Sequence, residues 1–134
     1  MIRETIKTPK AGLYDITESV IRAIDASGIG EGLCVVFTPD IEAGILVTAK
    51  GDTRIYEDIL DDYTRIFPAR NNYEFDGCMD KAAAHSKSAI AGVSLDVIIH
   101  EGKAVLGERQ HIVLADYVGN KDCSWLIECI GRES

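Results

Sequence analysis

The chain has 134 residues, 46% of them apolar, and sets 14 Lys+Arg against 22 Asp+Glu for a formal net charge of −8. That length suits one domain with a real core and leaves no room for two. The charge opposes a phosphate backbone or an anionic lipid surface, so neither nucleic acid nor a membrane is an expected partner. A local basic pocket for a small phosphorylated ligand remains compatible with it, because net charge is screened beyond roughly 8 Å at physiological salt. No apolar run approaches the ~18 residues of a membrane span, and Met1-Ile2-Arg3-Glu4-Thr5 does not open a secretory signal, so a cytoplasmic location is expected. The cysteines (Cys34, Cys78, Cys123, Cys129) contain no Cys-x-x-Cys pair. Cys34 and Cys129 lie inside apolar runs and read as reduced core residues, not as parts of a disulfide framework.

In chain order, Ile2 to Thr8 alternates as a strand and stops at Pro9 and a Lys10-Ala11-Gly12 turn. Asp15-Ile16-Thr17-Glu18 has capping-box spacing before a helical stripe of Ile16, Val20 and Ile24 that ends at Ser27-Gly28. Gly28, Gly30 and Gly32 mimic a phosphate loop but follow a helix instead of a strand, which reverses the order that motif requires. Leu33 to Phe37 and Gly44 to Ala49 read as two strands paired with each other. Asp52 or Thr53 caps a helix running to about Phe67, with Ile55, Ile59, Tyr63 and Ile66 on one stripe. Asn71 to Met79 is turn-rich, and Asp80 to Ile90 forms a short alanine-rich helix closed by Gly92. Leu95–Ile99, Lys103–Leu106, His111–Asp116 and Ser124–Ile130 follow as an expected antiparallel meander. The sum is an α+β class: one domain over residues 1–134, with a mixed, largely antiparallel sheet and two or three packed helices.

Two segments carry a family resemblance. Ala84-His85-Ser86-Lys87-Ser88-Ala89-Ile90-Ala91-Gly92-Val93-Ser94-Leu95 and Gly102-Lys103-Ala104-Val105-Leu106-Gly107-Glu108-Arg109-Gln110-His111-Ile112 resemble the signature of the YjbQ family of secondary thiamine-phosphate synthase-like proteins. His85, Lys87, Gly92, Ser94, Gly102, Lys103, Gly107 and Gln110 match in register. Upstream, Thr38-Pro39 and Ala43-Gly44 match a Thr-Pro-His-Thr-Thr-Ala-Gly segment, and Asp52 falls where the family has an aspartate. The chain departs at Asp40, where the family has histidine, and at Glu108-Arg109, where it has Thr-Trp. The resemblance implies an α+β fold assembled as a homotrimer.

His85 is the foremost candidate for chemistry, because imidazole titrates near neutral pH and can donate, accept or bind a metal. Lys87 lies two positions on, roughly 200° around a helix from His85, so both serve one site only if it is shared between elements or subunits. Asp52 has a functional reading, orienting His85 or holding a divalent cation such as Mg²⁺, and a structural one, simply capping its helix. As metal ligands the candidates are Asp52 and His85. Gln110, Asp40 and Arg109 are candidate ligand-binding residues, with Arg70 a further cation able to grip phosphate. Gln110 is equally suited to satisfying backbone groups between strands. His100 and His111 have no metal-ligand spacing, and Cys78 has no neighbouring base to lower its pKa.

What the resemblance implies is a transferase that joins hydroxymethylpyrimidine diphosphate to thiazole phosphate and releases pyrophosphate. In that scheme His85, Asp52 and Lys87 are catalytic and the partner is a phosphorylated small molecule. The alternative is a non-catalytic trimeric protein that binds a small ligand or anion and has lost the family's activity.

Overall fold

The computed structural model describes residues 1–50 and 52–132. Eight strands and three helices follow in order: β1 (Ile2–Thr8), β2 (Gly12–Asp15), α1 (Thr17–Ser27), β3 (Gly32–Phe37), β4 (Ala43–Ala49), α2 (Thr53–Ile66), α3 (Met79–Ala91), β5 (Ser94–His100), β6 (Lys103–Ala104), β7 (Gln110–Asp116) and β8 (Lys121–Gly131). The strands form two sheets, of order β1-β8-β3-β5-β6 and β2-β7-β4. Every pairing between them is antiparallel. The α+β class and the three helices are as the sequence indicates; the sheet is divided in two and has no parallel pair among the described residues.

The division follows from β7. Its residues Ile112, Val113, Leu114, Ala115 and Asp116 are all buried, so both faces of this strand need cover. Ile112 and Leu114 face a core shared with Val20 and Ile24 of α1 and with Val36, Val97, Trp125 and Ile127 of the five-stranded sheet. Val113, Ala115 and Tyr117 face the other way, against Ala84 of α3 and the half-buried Tyr56, Ile59, Leu60 and Tyr63 of α2. The three-stranded sheet is thus the middle layer. Among the described residues, no helix is long and apolar enough to cross a membrane.

Three local expectations need correcting. β3 and β4 are not partners: β3 lies between β8 and β5, whereas β4 pairs with β7. The last third is not a continuous meander, because β7 and β8 belong to different sheets and only β5 and β6 form a hairpin. That hairpin turns on Glu101 and Gly102 with φ of 51° and 77°, the two positive values of a type I′ turn. Gly12 begins a strand instead of ending a turn, and Asp15 caps α1 from outside it: its Oδ1 accepts from Thr17 N at 2.9 Å, while Ile16 occupies the N-cap position.

Helix α3 approaches the middle sheet closely enough to require glycine. Ile45 N donates to Gly92 O at 3.2 Å, and a Cβ on Gly44 would lie 2.7 Å from Gly92 O and 3.2 Å from Tyr117 Oη. Gly44→Ala is therefore expected to push α3 off β4 and cost about 1–3 kcal/mol, the usual range for overpacking. Urea denaturation reads this directly, and an unchanged midpoint would contradict the close approach.

Candidate functional site

The segment between β3 and β4 and one face of α3 flank an open cleft of about 470 Å³. Its walls include Thr38, Pro39, Asp40 and Ile41 on one side and His85, Ser88 and Ala89 on the other. Two of the sequence candidates, His85 and Asp40, therefore meet at one cleft although 45 positions separate them in sequence (85 minus 40). His85 is half-buried and held edge-on against Phe75, with ring centroids 5.1 Å apart. Thr38 anchors the opposite wall: its hydroxyl donates to Ser124 O at 2.7 Å, and its backbone N donates to Val93 O at 2.8 Å.

Behind Asp40 lies a charged network that sequence reading did not find. Lys121 Nζ donates to Asp40 Oδ1 at 3.0 Å and to Glu42 Oε1 at 2.7 Å, and stands 3.8 Å from Asp116 Oδ1. Asp116 is fully buried. Its Oδ1 accepts from the backbone N–H groups of Val118 and Gly119 at 3.0 and 2.9 Å, and its Oδ2 accepts from the Thr8 hydroxyl at 2.5 Å. Burial pulls the Lys121 ammonium toward a lower pKa, but the bonds to Glu42 and Asp40 and the field of Asp116 outweigh it, leaving the pKa raised. Cys123 donates to Asp40 Oδ2 at 3.7 Å. Burial, then the fields of Asp40 and Asp116, push this thiol up to about 12 against the opposing field of Lys121, so it is a hydrogen-bond donor and not a nucleophile. The available signal was Asp116 itself, an acid ending the apolar run Ile112–Ala115 just before a glycine turn.

The other candidates lie elsewhere. Lys87 is buried on the far side of α3, where Nζ donates to Thr64 Oγ1 of α2 at 3.3 Å and sits 5.9 Å from the centre of the Tyr117 ring. Burial lowers its pKa, with the field of Asp80 opposing. Asp52 is the N-cap of α2: its carboxylate accepts from Arg54 N at 2.9 Å and pairs with the Arg54 guanidinium at 2.6 Å. The Arg54 hydrogen bonds hold its carboxyl below the usual range. Gln110 Oε1 accepts from Gly107 N at 2.8 Å and so closes the loop before β7, while Arg109 has an exposed side chain and its carbonyl accepts from Lys50 N. Asp52, Arg109 and Gln110 are thus grouped past the Ala49 end of β4. Asp40 lies past the Ala43 end, about 20 Å away at roughly 3.4 Å per residue. Arg70 stacks on Tyr73 with its guanidinium carbon 3.7 Å from the ring centroid. His111 Nδ1 is 2.7 Å from Asp15, and His100 Nδ1 is 2.9 Å from Glu31.

A divalent cation does not fit these residues within one chain. Asp52 is occupied by Arg54, Asp40 by Lys121, and no group of three or more His, Cys, Asp or Glu residues among those described converges as a metal site.

The fold and cleft define an α+β protein with two antiparallel sheets and a ligand-sized cleft between a loop and a helix. The chain belongs to the YjbQ/UPF0047 family, whose description, UPF0047 protein YjbQ-like, matches residues 3–132. It is 32% identical over 132 residues to a UPF0047 protein of Methanocaldococcus jannaschii, covering 98% of this chain and 94% of that one. It is 30% identical to UPF0047 protein YugU of Bacillus subtilis, covering 94% and 96%. The crystal structure of a conserved YjbQ/UPF0047 protein from Clostridium acetobutylicum superposes with a TM-score of 0.90 at 32% identity, covering 97% of this chain and all of that one. A YbjQ-like protein of Sulfolobus solfataricus gives the same TM-score at 25% identity, covering 98% and 96%.

Proposed function

We propose that the protein is a transferase that joins hydroxymethylpyrimidine diphosphate to thiazole phosphate and releases pyrophosphate, as its resemblance to secondary thiamine-phosphate synthases implies. The observation that carries this reading is the shared cleft, in which the His85 signature of α3 faces the Thr38-Pro39-Asp40 segment. Its volume falls in the usual range for small-molecule sites. The thiazole nitrogen attacks the pyrimidine methylene carbon, the carbon–oxygen bond to diphosphate breaks, and pyrophosphate leaves with the electron pair. His85 lies at the cleft wall, where an imidazole can donate a proton to the departing oxygen. Mg²⁺ enters as part of the diphosphate substrate, since this ion is usually held by substrate phosphates and only one or two carboxylates.

The working unit in this reading is a homotrimer. Leu33, Ile98 and Ile130 stand 42%, 57% and 57% exposed on the outer face of the five-stranded sheet, which no helix covers. Assembly also offers a way to bring the surface residue Asp52 of one subunit to the His85 cleft of another, whereas Lys87 stays buried within its own chain. Light scattering should give a particle of three chain masses; a stable monomer overturns this part.

The direct test is thiamine phosphate formation by purified protein given both substrates and Mg²⁺, with His85→Ala checked for an unchanged fold. Product from the wild type and a loss of about 10²–10⁴-fold in the variant are expected for a proton-transfer group. No product from folded wild type overturns the reading. A second reading, a trimeric anion-binding protein without catalysis, draws on the pairing of Asp40 with Lys121 where the family has histidine. Saturable pyrophosphate binding without turnover would favour it.

A further inference from the structure

The five-stranded sheet carries a pair of cysteines that the cleft does not use. Cys34 on β3 stands directly across the ladder from Cys129 on β8, and both face the main core. The hydrogen-bond phase of this pair follows from its neighbours. Arg132 N donates to Glu31 O at 2.8 Å in the same register, which makes Glu31 and Arg132 a hydrogen-bonded pair. Alternation along the antiparallel ladder then makes Gly32–Gly131 non-bonded, Leu33–Ile130 bonded and Cys34–Cys129 non-bonded. The other edge of β3 agrees. Thr38 N donates to Val93 O, and counting back from that bonded pair gives Cys34 its hydrogen bonds with Val97 of β5, so its backbone groups point away from β8.

Residues facing each other at non-bonded positions have Cα atoms roughly 4.5 Å apart, within the approximately 4.4–6.8 Å that a disulfide spans. The two thiols differ in access. Cys34 is fully buried, whereas Cys129 is half-buried and lines an open cleft of about 190 Å³ with Ile2, Ala23, Ala26 and Ser27. Burial, reinforced by the contact with Cys129, pushes the Cys34 thiol up to about 12. Cys129 is therefore the sulfur that a solute reaches first, with Cys34 behind it as a protonated thiol.

We infer that Cys34 and Cys129 are a peroxide-responsive dithiol that closes a disulfide across β3 and β8. The Cys129 thiolate attacks one oxygen of hydrogen peroxide, the O–O bond breaks, and hydroxide leaves and takes up a proton as water, with Cys129 oxidised to the sulfenic acid. The Cys34 sulfur then attacks the Cys129 sulfur, the S–O bond breaks, and the hydroxyl leaves as water with the Cys34 proton. Two thiols and one peroxide become one disulfide and two waters. The cross-link joins the strand that leads into Thr38 and Asp40 to the strand that begins at Lys121.

The test uses the full chain with the exposed Cys78 changed to serine, which removes cross-linking between molecules through that thiol. After treatment with hydrogen peroxide and quenching in acid, intact mass spectrometry should show a loss of two hydrogens. Proteolysis should release one peptide pair linked through Cys34 and Cys129, and Cys123 should still label as a free thiol. In Cys129→Ser, whose substituted side chain is half-buried, Cys34 labelling should survive the same treatment. Oxidation of Cys129 to sulfinic acid with Cys34 still free, a link through Cys123, or loss of Cys34 at the same rate in Cys129→Ser each overturns the inference. So does an unchanged mass at excess peroxide.

Discussion

Lys121→Met is expected to cost about 3 kcal/mol at neutral pH, the low end of the range for removing one member of a buried ion pair. The low end applies because the Lys121 side chain keeps 24% exposure. Methionine retains the apolar stem, so the loss isolates the ammonium. Without it, Asp40, Glu42 and fully buried Asp116 face one another with no cation among them. Against a typical total stability of about 5–15 kcal/mol, that is a large fraction. The pH dependence has a definite sign. Because the folded pKa of Lys121 is raised, its contribution is fully present below the unfolded value of about 10.4 and is lost as pH rises through the folded value. Wild-type stability should thus fall more steeply than that of Lys121→Met in the alkaline range, and the two curves should converge. Urea denaturation at neutral and alkaline pH tests both statements. Parallel curves, or a variant as stable as wild type at neutral pH, would show that the network is not held by this ammonium.

Periodicity made most of the elements legible. β1, α2 and α3 lie within about a residue of where alternation, helical stripes and the Asp52 cap put them, since those signals are local. Pairing was not legible, because it is decided by which faces need cover. The run Leu33–Phe37 and the run Gly44–Ala49 look like neighbours on composition alone, yet β4 is required to flank β7 and β3 is required to fill the gap between β8 and β5. β2 was missed for a related reason: Gly12–Asp15 has only four residues, and its strand state comes from pairing with Val113–Asp116 of a distant segment.

The candidate site was partly legible. Helical geometry indicated that His85 and Lys87 point apart, and they do, one toward the cleft and the other toward Thr64. The capping role of Asp52 was visible as one of its two readings. Nothing in the sequence linked Thr8, Asp40, Asp116 and Lys121, since these are joined only where the chain passes from one sheet to the other. The segment after β7 makes that passage with positive φ at Gly119 (86°) and Asn120 (59°). A Cβ on Gly119 would meet the backbone of Lys10 at 2.3 Å, so the crossing admits only glycine there.

Asp116 is the fixed point of that crossing, and two substitutions separate its shape from its charge. Asp116→Ala removes the acceptor of the Val118 and Gly119 N–H groups together, leaving both donors without partners, and it takes the charge-assisted bond from the Thr8 hydroxyl, which falls back on Lys121 O. Each such group costs about 1–3 kcal/mol, so a total of about 3–5 kcal/mol is expected, comparable to other severe core lesions. Asp116→Asn keeps an oxygen for Val118 and Gly119, and its amide can donate to Thr8 Oγ1, whose own proton then goes to Lys121 O, already 3.0 Å away. Its cost is therefore expected near 1–2 kcal/mol, the lost charge assistance of these bonds. Lys121 keeps Asp40 and Glu42 in either variant, so a difference between them reports on the turn and not on the ion pair. Chemical denaturation gives the two free energies, and amide exchange at Val118 and Gly119 localises them. Those amides should lose protection in Asp116→Ala and retain most of it in Asp116→Asn. Equal losses would mean that the buried negative charge, rather than the acceptor geometry, holds the two sheets at this corner.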